Sequence, residues 1–390
     1  MSWVDAIVFA LVAVYFVNIY IFQNYQIPSS SLEKSLLVGD FLYVSKMSYG
    51  PRVPNTPLSM PLAQHTLPIL NTKSYIEWPQ WKYKRVPGFG KVKLNDIVVF
   101  NFPAGDTVAL NNQQTDFYSI AYGEGQRLYP KQIEMDSLTR QQQRAVYDLY
   151  YNAGRQQILS NPRVYGEIVY RPVDRRENYV KRCVGLPGDT LQIVDGQVMI
   201  DGKAIENPEN LQFNYFVQTT GPYITEDMFR ELGISKADQT LYDDSSWEET
   251  FRQIGLDNRN AQGKMAPIYH LPLTQKMYET LSGNKKLISK IVMEPEEYAG
   301  QMYPLNLHTK WNRNNYGPIW IPAKGATITL TEDNLPIYER CIVAYEGNKL
   351  EIKPDGIYIN GEKTDQYTFK MDYYWMMGDN RHNSADSRYW

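Results

Sequence analysis

The sequence predicts a mainly β protein that follows one N-terminal transmembrane helix. The apolar run from Trp3 to Phe22 matches the ~20 residues that cross a bilayer as a helix. The rest of the chain alternates short apolar runs with Gly, Pro and Asn, a pattern typical of many short strands. With 390 residues, of which 43% are hydrophobic, the chain can build one large domain or two ordinary ones. Its mean hydropathy of −0.48 excludes a polytopic membrane protein.

Charge and residue counts exclude several functional classes. The 40 Lys and Arg residues against 43 Asp and Glu residues give a net charge of −3, so no nucleic-acid partner is expected. Two cysteines, Cys183 and Cys341, cannot form a disulfide framework, and we expect them to remain unbonded because a bridge would crowd Lys181. The four histidines are scattered without an H-E-x-x-H motif, so neither a metal site nor a cofactor is expected.

The apolar run is interpreted as an uncleaved membrane anchor. No Lys or Arg precedes it and Asn24-Tyr-Gln-Ile-Pro28 follows it, unlike the basic start and small-residue exit of a cleaved signal peptide. A buried helix of the body is the other alternative, which Pro28 and the serines after it disfavour. The first basic residue after the run is Lys34, so charge says almost nothing about orientation.

Turn and capping signals predict the elements that follow. Strands are expected over 36–45 and 96–102, with a proline-rich surface excursion between them. A helix is predicted from Ser137, its N-cap, to Leu159, because Asn161-Pro162 stops it. Its expected apolar stripe is Val146, Leu149, Tyr150 and Ala153. Shorter helices are predicted to begin near Thr225 and Thr274, the second ending at Gly283.

The segments 182–203 and 340–363 share one pattern. Each begins Arg-Cys-Val or Arg-Cys-Ile and continues as alternating apolar residues around Asp-Gly, closing on Asp-Gly or Asn-Gly as hairpins do. A duplicated strand–hairpin unit and convergent turn chemistry explain the pattern equally well. Glu339 stands where the first copy has Lys181, so the second copy is not expected to be an active site.

Two segments contain a potential nucleophile and a potential base. In 26–40, Ser29, Ser30 and Ser31 follow a proline, which usually indicates a polar loop or cap. Ser31-Leu-Glu-Lys34 also matches the S-x-x-K motif of penicillin-binding enzymes, although their K-T-G partner is missing. On a strand over 178–189, Tyr179, Lys181 and Cys183 would share one face. Burial there would lower the pKa of Lys181 and free a neutral amine, whereas most strand lysines reach solvent.

A third segment, 376–388, is dense in Gly, Asn and Asp and predicts a tightly turned loop. It contains Ser384, whose hydroxyl can orient a base. It also contains Asp386 and Arg388, which can pair and fix the loop.

Taken together, P-S-S-S-L at 28–32, Y-V-K-R-C-V-G-L-P-G-D at 179–189 and G-D-N-R-H-N-S-A-D-S-R at 378–388 resemble the type I signal peptidases. This family consists of membrane-anchored Ser/Lys proteases. The resemblance implies that Ser31 is the nucleophile and Lys181 the general base, with Ser384 orienting the amine. It places the oxyanion hole at the N–H of Ser31 and the hydroxyl of Ser29. The family's shallow S1 and S3 pockets, which accept small side chains, fall on Ile27, Leu36, Tyr179 and Val180.

The resemblance also implies an architecture, namely a β-barrel or sheet catalytic core that carries a large α+β insertion. The expected division is a transmembrane anchor (1–24), two parts of the core (25–103 and 165–205), a helical insertion (104–164), an inserted second domain (206–340) and a strand–hairpin with the final motif (341–390). The chain departs from the family at Ser30, Leu32 and His382, where Gly, Met and Asp are common. The family also normally continues through another strand after the position of Trp390.

The implied function is a signal peptidase of the inner membrane with its body on the periplasmic side. Its expected partners are exported preproteins and the lipid bilayer, together with the secretion machinery. Two other classes remain open. One is a catalytically weak, membrane-tethered module that binds preproteins. The other is a self-cleaving repressor-type Ser/Lys protease, which would need a helix-turn-helix in place of the anchor.

Overall fold

The computed structural model describes residues 3–129, 131 and 133–390. It begins with α1 (Trp3–Tyr20), in which no residue is buried against the body. At 1.5 Å per residue this helix is about 27 Å long, close to the ~30 Å hydrocarbon core of a bilayer. The predicted apolar helix is therefore present, and it is long and apolar enough to cross a membrane.

Short strands make up most of the regular structure after the anchor. The remaining helices are α2 (Phe117–Leu128), α3 (Arg140–Ser160), α4 (Pro162–Tyr165), α5 (Glu226–Leu232), α6 (Glu248–Gln253), α7 (Gln275–Gly283) and α8 (Leu335–Arg340). The strands are β1 (Phe22–Gln26), β2 (Phe41–Ser45), β3 (Arg52–Val53), β4 (Lys84–Arg85), β5 (Ile97–Asn101), β6 (Thr107–Ala109), β7 (Ile168–Tyr170), β8 (Asn178–Gly185), β9 (Thr190–Val194), β10 (Gln197–Ile200), β11 (Lys203–Ala204), β12 (Gln212–Thr219), β13 (Thr240–Tyr242), β14 (Ile268–Thr274), β15 (Ile288–Met293), β16 (Tyr316–Trp320), β17 (Thr327–Thr329), β18 (Leu350–Lys353), β19 (Gly356–Ile359), β20 (Glu362–Lys363), β21 (Gln366–Thr368) and β22 (Trp375–Met377).

These strands form open antiparallel sheets of two to four strands, and no closed barrel is found in the described part of the chain. The mainly β expectation is thus confirmed, whereas the barrel is not. Two sheets surround the predicted site: β1–β2 flanks the serine cluster, and β22–β8–β5 carries Lys181 opposite Val98. A third sheet, β11–β10–β9–β16, packs its apolar face against β22 in the largest core next to the site.

A separate four-stranded sheet, β13–β14–β12–β15, lies within the expected insertion. The helices α5 and α7 cover one face of it, and Val217, Leu271 and Leu281 are fully buried between these layers. Thr225 and Thr274 cap the two helices by accepting a hydrogen bond from the backbone, as the sequence predicts. The later strand β16 pairs with β9 of the core.

The first predicted helix needs two corrections. The helix α3 begins at Arg140 because Thr139, not Ser137, forms its capping box, while Ser137 ends a separate 3-10 turn. The buried face is also rotated from the predicted stripe, since Leu149 is 42% exposed. The reason is a close crossing of α2 and α3, in which a Cβ on Gly154 would lie 1.7 Å from the carbonyl oxygen of Ala121. The buried residues are Gln143, Tyr150, Gly154 and Ile158.

The two similar segments, 182–203 and 340–363, form similar hairpins but differ in the residues that precede those hairpins. The strands β9–β10–β11 and β18–β19–β20 have the same lengths of turn, and Asp201-Gly202 and Asn360-Gly361 both have positive φ. Arg182-Cys183-Val184, however, lies on a strand, whereas the second copy ends α8. Pro336 in the first turn favours a helix there.

Two further predictions can be compared with the structure. The strand predicted over 36–45 is shorter than expected, since β2 begins at Phe41. Both cysteines are buried and free, as expected.

Candidate active site

The serine cluster forms a single 3-10 turn over Ser30–Leu32, directly after β1. Hydrogen bonds between Ile27 and the 39–40 backbone close this loop, and Ser31 is only 5% exposed. Ser29 is the N-cap of the turn, with extended backbone and an exposed side chain. The loop therefore holds the Ser31 hydroxyl inside the body rather than at the surface.

Lys181 meets Ser31 in this buried position. Its Nζ lies 2.8 Å from Ser31 Oγ, within hydrogen-bond distance, and also donates to the carbonyl oxygen of Val180 at 3.0 Å. The amine lies 5.3 Å from the ring centroid of Tyr179, which stacks on Phe102. Burial lowers the pKa of Lys181, and the negative charge of Asp386 opposes this only in part. The arrangement favours a neutral amine next to a serine hydroxyl.

The glycine-rich loop closes the site from the other side. Asn380 N donates to the carbonyl oxygen of Ser31 at 3.1 Å, and Asn383 donates to the hydroxyl of Ser30 at 2.8 Å. Gly378 lies so close that a Cβ there would come within 2.4 Å of Ser384 Oγ and 2.6 Å of the Ser31 carbonyl oxygen. The loop thus packs directly on the serine turn.

Ser384, Asp386 and Arg388 are all buried in this loop. Arg388 donates to both oxygens of Asp386 at 2.8 Å, and its guanidinium also reaches two main-chain carbonyls. Arg388 lowers the pKa of Asp386 despite its complete burial. Ser384 Oγ has no hydrogen-bond partner of normal geometry among the described residues, so the expected contact to the Lys181 amine is not formed.

The remaining predicted residues lie near Ser31 or Lys181 along the chain. Ile27 is 3% exposed, whereas Leu36, Tyr179 and Val180 are half-buried. Tyr179 and Val180 precede the lysine on β8, and Ile27 and Leu36 bracket the serine turn. No group of His, Cys, Asp and Glu in the described residues has the arrangement of a metal site.

Asp379 is a site residue that the sequence reasoning missed. Its carboxylate accepts two hydrogen bonds from Arg182, at 2.8 and 2.7 Å, and one from Ser35 at 2.7 Å. It therefore joins the lysine strand, the serine loop and the glycine-rich loop at one buried point. The sequence did contain one indication of this residue. Arg182 lies next to Lys181 on the same strand, and a largely buried arginine needs a carboxylate partner.

Lys34 lies away from Ser31 and contacts the inserted sheet's helix. Its Nζ donates to the carbonyl oxygens of Leu232 and Gly233, at 3.2 and 2.7 Å, at the C-terminal end of α5. This end of a helix attracts a cation. The S-x-x-K pattern therefore does not form a serine–lysine pair here, and Lys34 instead links the serine loop to the insertion.

A buried polar cluster makes a second link between the insertion and the site. The ring of His382 accepts from Asn214 N at 3.3 Å and contacts Asn314 Oδ1 at 3.1 Å, and burial lowers its pKa to about 3. Beside it, Glu294 pairs with Arg313 and His270, which hold the pKa of Glu294 at about 2. A neutral His382 therefore occupies the position where the resemblance leads one to expect Asp.

Comparison with known proteins identifies the family of this chain. The sequence model of the family described as "Signal peptidase, peptidase S26" matches residues 1–228 and 364–390, and so includes all three motif segments. The chain belongs to this signal peptidase family. The segment 229–363 lies outside the match and holds most of the inserted sheet and its helices.

Individual signal peptidases are similar over shorter stretches. The chain is 31% identical to "Signal peptidase I" of Bacillus licheniformis over 99 residues, 25% of this chain and 50% of the relative. It is 38% identical to that of Rickettsia typhi over 66 residues, 17% and 21% of the two chains. The Haemophilus influenzae protein is 48% identical over 44 residues, 11% and 13% of the two chains. The chain thus spans half the length of the first relative and much less of the others.

Proposed function

We propose that this member of the signal peptidase family is an endopeptidase that removes N-terminal signal peptides from exported preproteins. The observation that carries the proposal is the 2.8 Å distance between Ser31 Oγ and the buried Lys181 amine. A serine hydroxyl needs a base within hydrogen-bond reach, and a desolvated lysine serves where no histidine is near. A membrane-tethered binding module would have no use for a lysine buried against a serine.

The proposed reaction passes through an acyl-enzyme. Neutral Lys181 takes the proton of Ser31 as Oγ attacks the scissile carbonyl carbon. The oxyanion that forms accepts hydrogen bonds from the N–H of Ser31 and the hydroxyl of Ser29. The ammonium then gives its proton to the leaving amine, so the C–N bond breaks and the mature protein departs. The signal peptide remains as an ester on Ser31. Lys181 next deprotonates a water molecule, which hydrolyses the ester and restores the enzyme.

We also propose the setting and the recognition of the substrate. Ser31 lies a few residues after α1, which places the chemistry next to the bilayer surface, where a signal peptide's cleavage site emerges. The body lies on the periplasmic side of the inner membrane and works beside the secretion machinery. Ile27, Leu36, Tyr179 and Val180 line shallow pockets that select small residues at P1 and P3 by size. We also propose that the chain is divided into a membrane anchor, a two-part catalytic core and the insertions given above.

Two substitutions with one matched control test the dyad. Ser31→Ala and Lys181→Met should each reduce preprotein cleavage by several orders of magnitude, because the two groups act as a unit. The control Lys34→Met removes a half-buried lysine from the loop that carries Ser31. It should retain most of the activity, because Lys34 contacts the end of α5 and not Ser31. A penem-type acylating agent should label Ser31 in the wild type and not in Lys181→Met. Cleavage that survives Lys181→Met and disappears in Lys34→Met would favour the S-x-x-K alternative. An unlabelled Ser31 would favour the binding module.

A further inference from the structure

A cavity of about 780 Å³ lies between the end of α1 and the catalytic body. Neither Ser31 nor Lys181 lines it. One wall is the last part of the anchor helix, with Tyr15, Asn18 and Ile19. The other walls come from the strands β1 to β4 and from the segments 99–103, 173–178 and 371–376. The cavity therefore opens where a transmembrane helix would leave the bilayer.

Five cations line this cavity, and three of them, Lys46, Arg52 and Arg85, repel one another; the other two are Arg175 and Arg176. Arg52 and Arg85 are direct partners across the β3–β4 pair, a position in which like charges destabilise a sheet. Each cation donates to neutral acceptors: Lys46 to the hydroxyl of Tyr25 at 3.3 Å, Arg52 to Asn101 at 2.6 Å, and Arg85 to the carbonyl oxygen of Gly50 at 2.6 Å. Within the described residues none of the three forms an ion pair with a carboxylate.

The three acidic residues of the same cavity form no ion pair with Lys46, Arg52 or Arg85. Asp174 accepts from the amide and hydroxyl of Thr56, at 2.9 and 3.0 Å, and forms an ion pair at 3.8 Å with Arg175, which also lines the cavity. Glu177 pairs with His65 and Arg171. Asp372 accepts from the backbone of residue 324.

Five cations and three carboxylates line the cavity, so positive charge is in excess, and Asp174 offsets it only in part at Arg52. The consequence is visible at Lys46, where burial and the charges of Arg52 and Arg85 lower the pKa to about 8. An anion bound among the three cations would relieve this repulsion. A phosphate group fits best, because arginine side chains bind its oxygens through paired N–H groups.

We propose that this cavity binds the phosphate of an anionic phospholipid headgroup. The location favours a lipid over free phosphate, since the cavity shares a wall with the end of a helix long enough to cross the bilayer. Anionic lipids attract clustered Lys and Arg residues at this depth. The aromatic rings of Tyr25, Tyr83 and Tyr374 provide an amphipathic lining for the glycerol region. Such a lipid would hold the catalytic body at a fixed height above the membrane.

The first test counts lipids retained by the full-length protein in detergent by native mass spectrometry. Phosphatidylglycerol should bind the wild type about tenfold or more tightly than it binds the double variant Arg52→Gln/Arg85→Gln, whereas zwitterionic phosphatidylcholine should bind both equally weakly. The matched control removes two exposed arginines elsewhere, Arg155→Gln/Arg163→Gln, and should bind phosphatidylglycerol like the wild type. Equal retention by the wild type and the Arg52→Gln/Arg85→Gln variant would overturn the proposal.

A second test needs no variant and so does not depend on how the double variant folds. Acetylation of Lys46 at pH 8, mapped by peptide mass spectrometry, should slow about fivefold or more when phosphatidylglycerol is added, because the bound phosphate restores the ammonium and covers it. Phosphatidylcholine should not protect Lys46. Equal protection by millimolar inorganic phosphate would identify a free anion and overturn the lipid assignment. An unchanged rate with phosphatidylglycerol would overturn the site itself.

Discussion

Replacing Gly378 by alanine would force apart the glycine-rich loop and the serine turn. Gly378 does not have a positive φ, so its backbone accepts a side chain and only the space is tested. The new Cβ would lie 2.6 Å from the carbonyl oxygen of Ser31, and an ordinary contact begins near 3.4 Å. The two segments must therefore separate by about 0.8 Å. Since a misplacement of about 1 Å can cost about 10²-fold in rate, kcat/KM should fall by about that factor.

The same substitution should also destabilise the fold by about 1–3 kcal/mol, as overpacking usually does. The assay is kcat/KM on a preprotein peptide with Ala at P1 and P3, run below the unfolding transition measured by circular dichroism. Gly283→Ala is the matched control, because a Cβ at the end of α7 meets nothing within 4 Å. A folded Gly378→Ala enzyme with a kcat/KM within twofold of the wild type would refute this account of the site.

The remaining predictions concern pH and substrate size. The kcat/KM of the wild type should rise with pH through a midpoint below the ~10.4 of an exposed lysine, because burial lowers the pKa of Lys181. A midpoint near 10.4 would contradict the neutral base. In a peptide series that varies P1 alone, Ala, Gly and Ser should be cleaved and Leu and Phe excluded, so equal kcat/KM for Ala and Leu would refute recognition by size. Glu294, with its pKa of about 2 in the folded protein, should add on the order of 2–3 kcal/mol above its unfolded pKa, and this should be lost as the pH falls from about 5 to 2. Glu294→Gln should flatten that dependence of unfolding free energy on pH, and an unchanged slope would argue against the buried ion pairs.

Local signals in the sequence were enough for the elements that carry the motifs. Thr225 and Thr274 indicate the starts of helices, because a hydroxyl at the N-cap accepts a hydrogen bond from a free backbone N–H of the first turn. The Asp-Gly and Asn-Gly pairs indicate hairpins, because two-residue hairpin turns need positive φ and these residues adopt it most readily. The alternation of side chains on a strand likewise places Lys181 on an inward face.

Contacts between distant segments were beyond such reasoning. Lys34 binds the end of α5 across 198 residues of sequence, and no local pattern marks that meeting. The rotation of α3 depends on which helix lies against it. Its N-cap, by contrast, was a local signal that was missed, since Thr139 and Gln142 match the capping-box pattern. The partner of Arg182 was likewise unpredictable, since Asp379 lies 197 residues later.

The contact between Asn383 and Ser30 spans 353 residues, and this separation sets the timing of the enzyme's own biosynthesis. At about 5–20 residues per second, roughly 20–70 s pass between synthesis of the serine turn and synthesis of the loop that packs on it. During that interval the anchor and the nucleophile exist without Asp379, Asp386 and Arg388 to fix them. In the proposed mechanism, the nascent chain therefore cannot cleave a substrate until the glycine-rich loop has been synthesised. The anchor helix leaves the ribosome well before that point.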